Sequence, residues 1–164
     1  MKKRIGYLLL IVGLLLSAAV YVFCSAVGVA RSKARAVSCV SNQKQITMGM
    51  KMYAIDHSGR FPPTLADVAP YVAHQPQLFR CPSSPEPAGS IDTVDQWTHY
   101  TYVPGFGETS RADAVVLMCN SLDHPQGVVI VSFVDGHSEW VDPRELIYRL
   151  AKKQEGLQQS NPCD

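Results

Sequence analysis

Residues Ile5–Ala30 read IGYLLLIVGLLLSAAVYVFCSAVGVA, twenty-six positions without a charge. As a helix this stretch reaches about 39 Å, against a bilayer hydrocarbon core of roughly 30 Å. Lys2, Lys3 and Arg4 precede it, and Arg31, Lys33 and Arg35 follow it. A cleaved secretory signal is the competing reading, since Ser-Ala-Val-Gly-Val-Ala closes the stretch. Signal cores are shorter, about 7–15 residues, so a retained membrane anchor is favoured. Phe23 before Cys24 disfavours a lipoprotein signal.

Outward from the anchor, the helical pattern continues. Residues 31–57 lack proline, contain only Gly49 as a breaker, and are rich in Ala, Lys, Arg, Gln and Met. Ile46, Met50 and Tyr53 recur at spacings of four and three, as on one helix face. Val37, Val40, Ser41 and Lys44 form another stripe, and Met48 and Met52 an adjacent line. The reading is one long helix whose first half faces lipid and whose second half packs on a domain. Gly59 is the expected C-terminal cap, and Phe61-Pro62-Pro63 forbids continuation.

The charge divides in the same place. Residues 1–53 hold eight Lys or Arg and no acid, while residues 54–151 hold twelve Asp or Glu against five Arg. An acidic head argues against nucleic-acid binding, which needs a basic face. Flanking charges are nearly balanced; the α-amine tips the N-terminus towards the cytoplasm. The domain reading is a basic N-terminus (1–4), a transmembrane helix (5–30), its amphipathic continuation (31–57), a Pro-rich connection with a short helix (58–97), an antiparallel sheet with a C-terminal helix (98–153), and a tail (154–164).

Within the connection, Thr64 with Asp67 three residues later reads as an N-cap for a helix from Leu65 to about Val72. Strands are expected at Thr98–Val103, Ala114–Cys119, Val128–Val134 and His137–Val141, the last two joined by a two-residue Asp135-Gly136 turn. Asp142-Pro143-Arg144-Glu145 starts a final helix with Leu146, Ile147 and Leu150 on its apolar edge. The fold class is α+β: a long N-terminal helix packed against a small antiparallel sheet.

Cys39, Cys81, Cys119 and Cys163 lie outside the anchor, an even number as expected in an oxidising compartment. Three pairings exist. Cys39–Cys81 is favoured, closing a loop worth about 4 kcal/mol if unstrained and leaving Cys119 with Cys163. Free buried thiols are the alternative.

The ordered motifs Ala34-Arg35-Ala36-Val37-Ser38-Cys39-Val40-Ser41-Asn42-Gln43-Lys44-Gln45-Ile46, Met52-Tyr53, Gly59-Arg60-Phe61-Pro62, Phe79-Arg80-Cys81-Pro82-Ser83, Tyr100-Thr101-Tyr102 and Phe133-Val134-Asp135-Gly136-His137-Ser138-Glu139-Trp140 resemble the bacterial pilin-like proteins related to the major pseudopilin of type II secretion. The resemblance covers about Arg31 to Val141. It implies a structural subunit of a type II secretion or type IV pilus-like system in the bacterial inner membrane, with a periplasmic head. Its implied partners are the lipid bilayer, other pilin-like subunits met through the N-terminal helix, and a prepilin peptidase. The basic leader followed by Gly6 and Tyr7 matches the processing site, whereas Ile11 stands where the family carries glutamate. An intramembrane carboxylate is costly, so its absence removes a register device along with that cost.

Among chemistry-bearing residues, Asp123, His124, Asp135, His137 and Glu139 cluster late in the chain and are ligand types. The major pseudopilins bind calcium in a head loop, which makes Asp113, Asn120, Asp123 and Asp135 the oxygen ligands to examine, without a residue-by-residue match. No nucleophile elbow, His-Glu-x-x-His, Walker loop or dinucleotide fingerprint occurs, so no enzymatic activity is expected. The alternative function is a membrane-tethered, extracytoplasmic metal- or ligand-binding module.

Overall fold

The computed structural model describes residues 2–119, 124 and 127–147. Contacts divide the chain into two units, residues 1–34 and 35–164. Helix α1, Lys2–Asp56, runs through both. Its first part is exposed and apolar, from Leu10 and Ile11 to Tyr21 and Phe23. The helix is long and apolar enough to cross a membrane. Gly6 and Tyr7 belong to its first turns.

The second unit is an α+β domain. Strands β1 (Tyr100–Tyr102), β2 (Val115–Cys119), β3 (Val129–Phe133) and β4 (Ser138–Val141) form an antiparallel sheet in that order. Period-two alternation sends β3 to both faces. Ile130 joins the cluster that holds Ala36, Cys39, Ile46, Met50 and Ala54 of α1 together with Phe79 and Leu117. Val129, Val131 and Phe133 join Val115, Val141 and Leu146 on the opposite face. All five β3 residues are buried because both faces are covered.

The face that α1 gives to this core keeps Ile46 and Met50 of the stripe read in the sequence and extends it through positions that reading did not single out. Ala36, Cys39, Gln43, Ile46, Met50 and Ala54 are buried, whereas Val37 is exposed, as are Ser41 and Lys44. The reason is chemical: Cys39 and Gln43 have partners inside, so the buried stripe runs through polar positions that hydrophobic counting skips.

The end of α1 is a Schellman motif: the Gly59 N–H donates to the Ala54 carbonyl at 2.8 Å. Ser58, at φ +56°, takes the left-handed position expected of the glycine, and Gly59 follows it. Residues Ala66–Val72 form a 3-10 helix containing Pro70. The Thr64 hydroxyl donates to Asp67 at 2.7 Å, and the Thr64 N–H donates to the same carboxylate at 3.2 Å. The Leu65 and Ala66 amides are instead satisfied by Asp95, at 2.8 and 3.2 Å, next to α2 residue Val94 (α2, Val94–Trp97). A second 3-10 turn, Pro76–Phe79, buries Leu78 and Phe79.

The turn between β3 and β4 is closed by the Phe133–His137 pair around three residues, 134–136, not two. Phe133 N–H donates to the His137 carbonyl, and Gly136 N–H donates to the Phe133 carbonyl. Gly136 sits at φ +96°, so the turn is a type I turn closed by a left-handed glycine. In the final helical residues, 143–147, the Asp142 carboxylate accepts the Arg144 N–H at 2.7 Å, the expected N-cap. Leu146 is buried but Ile147 is exposed. Leu150 and the tail lie outside the described residues.

One backbone crossing allows a direct test. Gly107 bridges Arg60, and a Cβ on Gly107 would lie 2.3 Å from the Gly59 carbonyl oxygen. Both groups are backbone and neither can step aside. Gly107→Ala is therefore expected to destabilise the head by about 1–3 kcal/mol, read as a lower urea midpoint.

Candidate metal centre

Four segments meet beside the α1–sheet core. Cys39 comes from α1, Cys81 from the loop after the second 3-10 turn, Cys119 from the end of β2, and His124 from the β2–β3 connection. All four are buried, and their ligand atoms lie within 4.8 Å of one another. His124 Nε2 lies 3.3 Å from Cys119 Sγ and 3.6 Å from Cys81 Sγ.

Each donor has a local reason for its place. Asn42, one residue before Gln43 on α1, donates its amide to the Gln77 and Arg80 carbonyls at 3.4 and 3.3 Å. The buried Tyr100 hydroxyl donates to the Arg80 carbonyl at 3.2 Å and touches Cys39 Sγ at 3.7 Å. Together these hold the chain leading into Cys81 against the helix. Cys81-Pro82-Ser83-Ser84 then turns, with the Ser84 N–H on the Cys81 carbonyl at 3.0 Å; proline suits the second position of such a turn. Ser83 Oγ lies 3.4 Å from His124 Nδ1, leaving Nε2 to face the sulfurs. Gln43 donates to Cys39 Sγ at 3.8 Å and to the Ile130 carbonyl at 3.1 Å, and accepts from Ser132 Oγ at 2.8 Å.

The three thiols do not behave alike. Hydrogen bonds from Cys119 and then Cys39 hold Cys81 well below the usual thiol range. Cys119 is raised by the reciprocal bonds to Cys39 and Cys81 and by burial. For Cys39 the Cys119 contact acts downward, but the Cys81 hydrogen bond, burial and the Cys81 charge outweigh it and push it up to about 12. Burial, the largest cause, pushes the Tyr100 phenol well above its ordinary range, so it stays a donor.

Cys39 and Cys81 are free thiols in the structure rather than the expected disulfide, and Cys119 is also free. Cys163, its expected partner, lies outside the described residues. Of the expected calcium ligands, the two among the described residues, Asp113 and Asp135, are not members of this cluster. Asp113 pairs with Arg111 at 2.6 Å. Asp135 pairs with His137 at 2.5 Å and its carbonyl accepts from Lys51. Its carboxyl stays below its ordinary value: burial acts upward, but the His137 hydrogen bonds prevail. Asn120 and Asp123 lie outside the described residues. Calcium takes six to eight oxygens, and the centre offers three sulfurs and a nitrogen.

The sequence reading grouped His124 with late carboxylates and counted the cysteines in pairs. The spacing Cys119-x4-His124 was the available signal. No protein-family model matches this chain, and neither a curated protein nor a solved structure is significantly similar to it.

Proposed function

We propose that this chain is a pilin-like structural protein of the bacterial inner membrane, a subunit of a type II secretion or type IV pilus-like system. Its N-terminus is cytoplasmic and its head extracytoplasmic. The observation that carries this reading is the change of character along α1. Its N-terminal part offers exposed apolar side chains such as Leu14 and Leu15, while Ala36 to Ala54 bury one stripe in the head's core. Apolar on all sides suits lipid or neighbouring helices, and apolar on one stripe suits a packed domain. Gly6 and Tyr7 supply the expected processing site, and Ile11 leaves lateral contact to packing of apolar side chains.

A photo-crosslinking residue at Leu14, which is 69% exposed, tests the reading in the native membrane. Adducts with a second copy or another small membrane protein are expected. Monomers alone would count against a filament subunit. A membrane-tethered metal-binding module is the second reading, favoured by the convergence of Cys39, Cys81, Cys119 and His124.

A further inference from the structure

We propose that Cys39, Cys81, Cys119 and His124 Nε2 bind one zinc ion as a closed, structural, tetrahedral site. The inference rests on the geometry of the head and is independent of filament assembly. With Zn–S near 2.3 Å and Zn–N near 2.0–2.1 Å, tetrahedral coordination separates sulfur from nitrogen by about 3.5 Å. The His124 Nε2 distances to Cys119 and Cys81, 3.3 and 3.6 Å, lie on either side of that value. The ligand set is complete at four and every member is buried. That is the arrangement of structural zinc, whereas catalytic zinc keeps a position open for water or substrate. Soft thiolates with imidazole select zinc over the oxygen-seeking calcium and magnesium.

The supporting shell has the form a zinc site needs. Ser83 engages the other ring nitrogen of His124, and Gln43 donates to Cys39 Sγ; such partners orient ligands and tune affinity. Zinc here would tie α1, the Cys81 loop, the end of β2 and the β2–β3 connection at one point. A small head gains most from such a staple.

The test uses the full chain, purified in detergent without added chelator. Elemental analysis is expected to give about one zinc per chain. Cobalt(II) exchanged into the site should give the intense visible absorption of tetrahedral thiolate coordination. His124→Ala should weaken zinc binding by more than about 100-fold, and Ser83→Ala by about 10-fold. His124→Cys keeps four soft ligands and should retain zinc, with a shifted cobalt spectrum; it remains informative if His124→Ala fails to fold. A folded chain that lacks metal and takes up neither zinc nor cobalt overturns the proposal. So does a Cys39–Cys81 disulfide in the folded chain, or stoichiometric iron or copper in place of zinc.

Discussion

Phe79→Ala is expected to destabilise the head by about 3–5 kcal/mol. Phe79 is fully buried in the cluster shared by α1 and the sheet. Its backbone also works: the carbonyl accepts the Thr98 hydroxyl at 2.9 Å and the His99 N–H at 3.3 Å. Truncation removes the ring's transfer free energy and leaves a cavity that a 3-10 turn pinned by these bonds cannot close. A domain of this size is stable by only about 5–15 kcal/mol, so the loss takes a large share. Urea unfolding of the detergent-solubilised chain, followed by tryptophan fluorescence, measures it. Ile55→Ala is the control: Ile55 is 74% exposed, and a change within about 0.5 kcal/mol is expected. Equal effects at the two positions would show that Phe79 is not a core residue.

Gln43→Leu is the second large effect. Leucine is more hydrophobic and a better helix former than most polar residues, so surface reasoning predicts a gain. The interior reverses the sign. Gln43 and Ser132 are both completely buried. Leucine would take the amide from the Ile130 carbonyl and the acceptor from the Ser132 hydroxyl. Each buried polar group left without its partner costs about 1–3 kcal/mol. Ser132 also meets Ser138 Oγ at 2.7 Å, so its hydroxyl can turn and donate there, recovering part of the loss. A net destabilisation of about 2–3 kcal/mol is expected in the same urea experiment. The double variant Gln43→Leu with Ser132→Ala should lose less than the two single changes added together, since it removes both ends of one bond. Additive losses would mean that the two side chains are not coupled.

These residues also explain how far the sequence could be read. The long helix, its end near Asp56 and all four strands were legible, because each rests on a local signal. An uninterrupted run of helix formers, Gly59 before Pro62-Pro63, and alternation between turn residues supplied those signals. Ile46 and Met50 lie on the buried face of α1 as their spacing implies, but its extension through Cys39 and Gln43 was not legible, because their reasons for being inside come from the distant residues Tyr100, Ile130 and Ser132. Thr64 and Asp67 look like a complete cap, yet Asp95 satisfies the neighbouring amides from another segment. The cysteine–histidine cluster was less legible still. Its members span positions 39 to 124, and counting cysteines in pairs drew attention away from His124.

The Gln43 amide meets the Ile130 carbonyl across a sequence separation of 87 residues, and this sets an order of events during synthesis. The sheet is a meander of sequential neighbours, β1-β2-β3-β4, so its pairings are local and close quickly once the strands exist. The helix stripe from Ala36 to Ala54 is made long before the strand that covers it. Until β3 emerges, Ile46, Met50 and the Cys39 thiol are uncovered, the condition in which intermediates aggregate. Docking of α1 onto the finished meander is therefore expected to be the late step of folding, and the interval before it is when the nascent head is most open to a chaperone, an oxidant or a wrong partner.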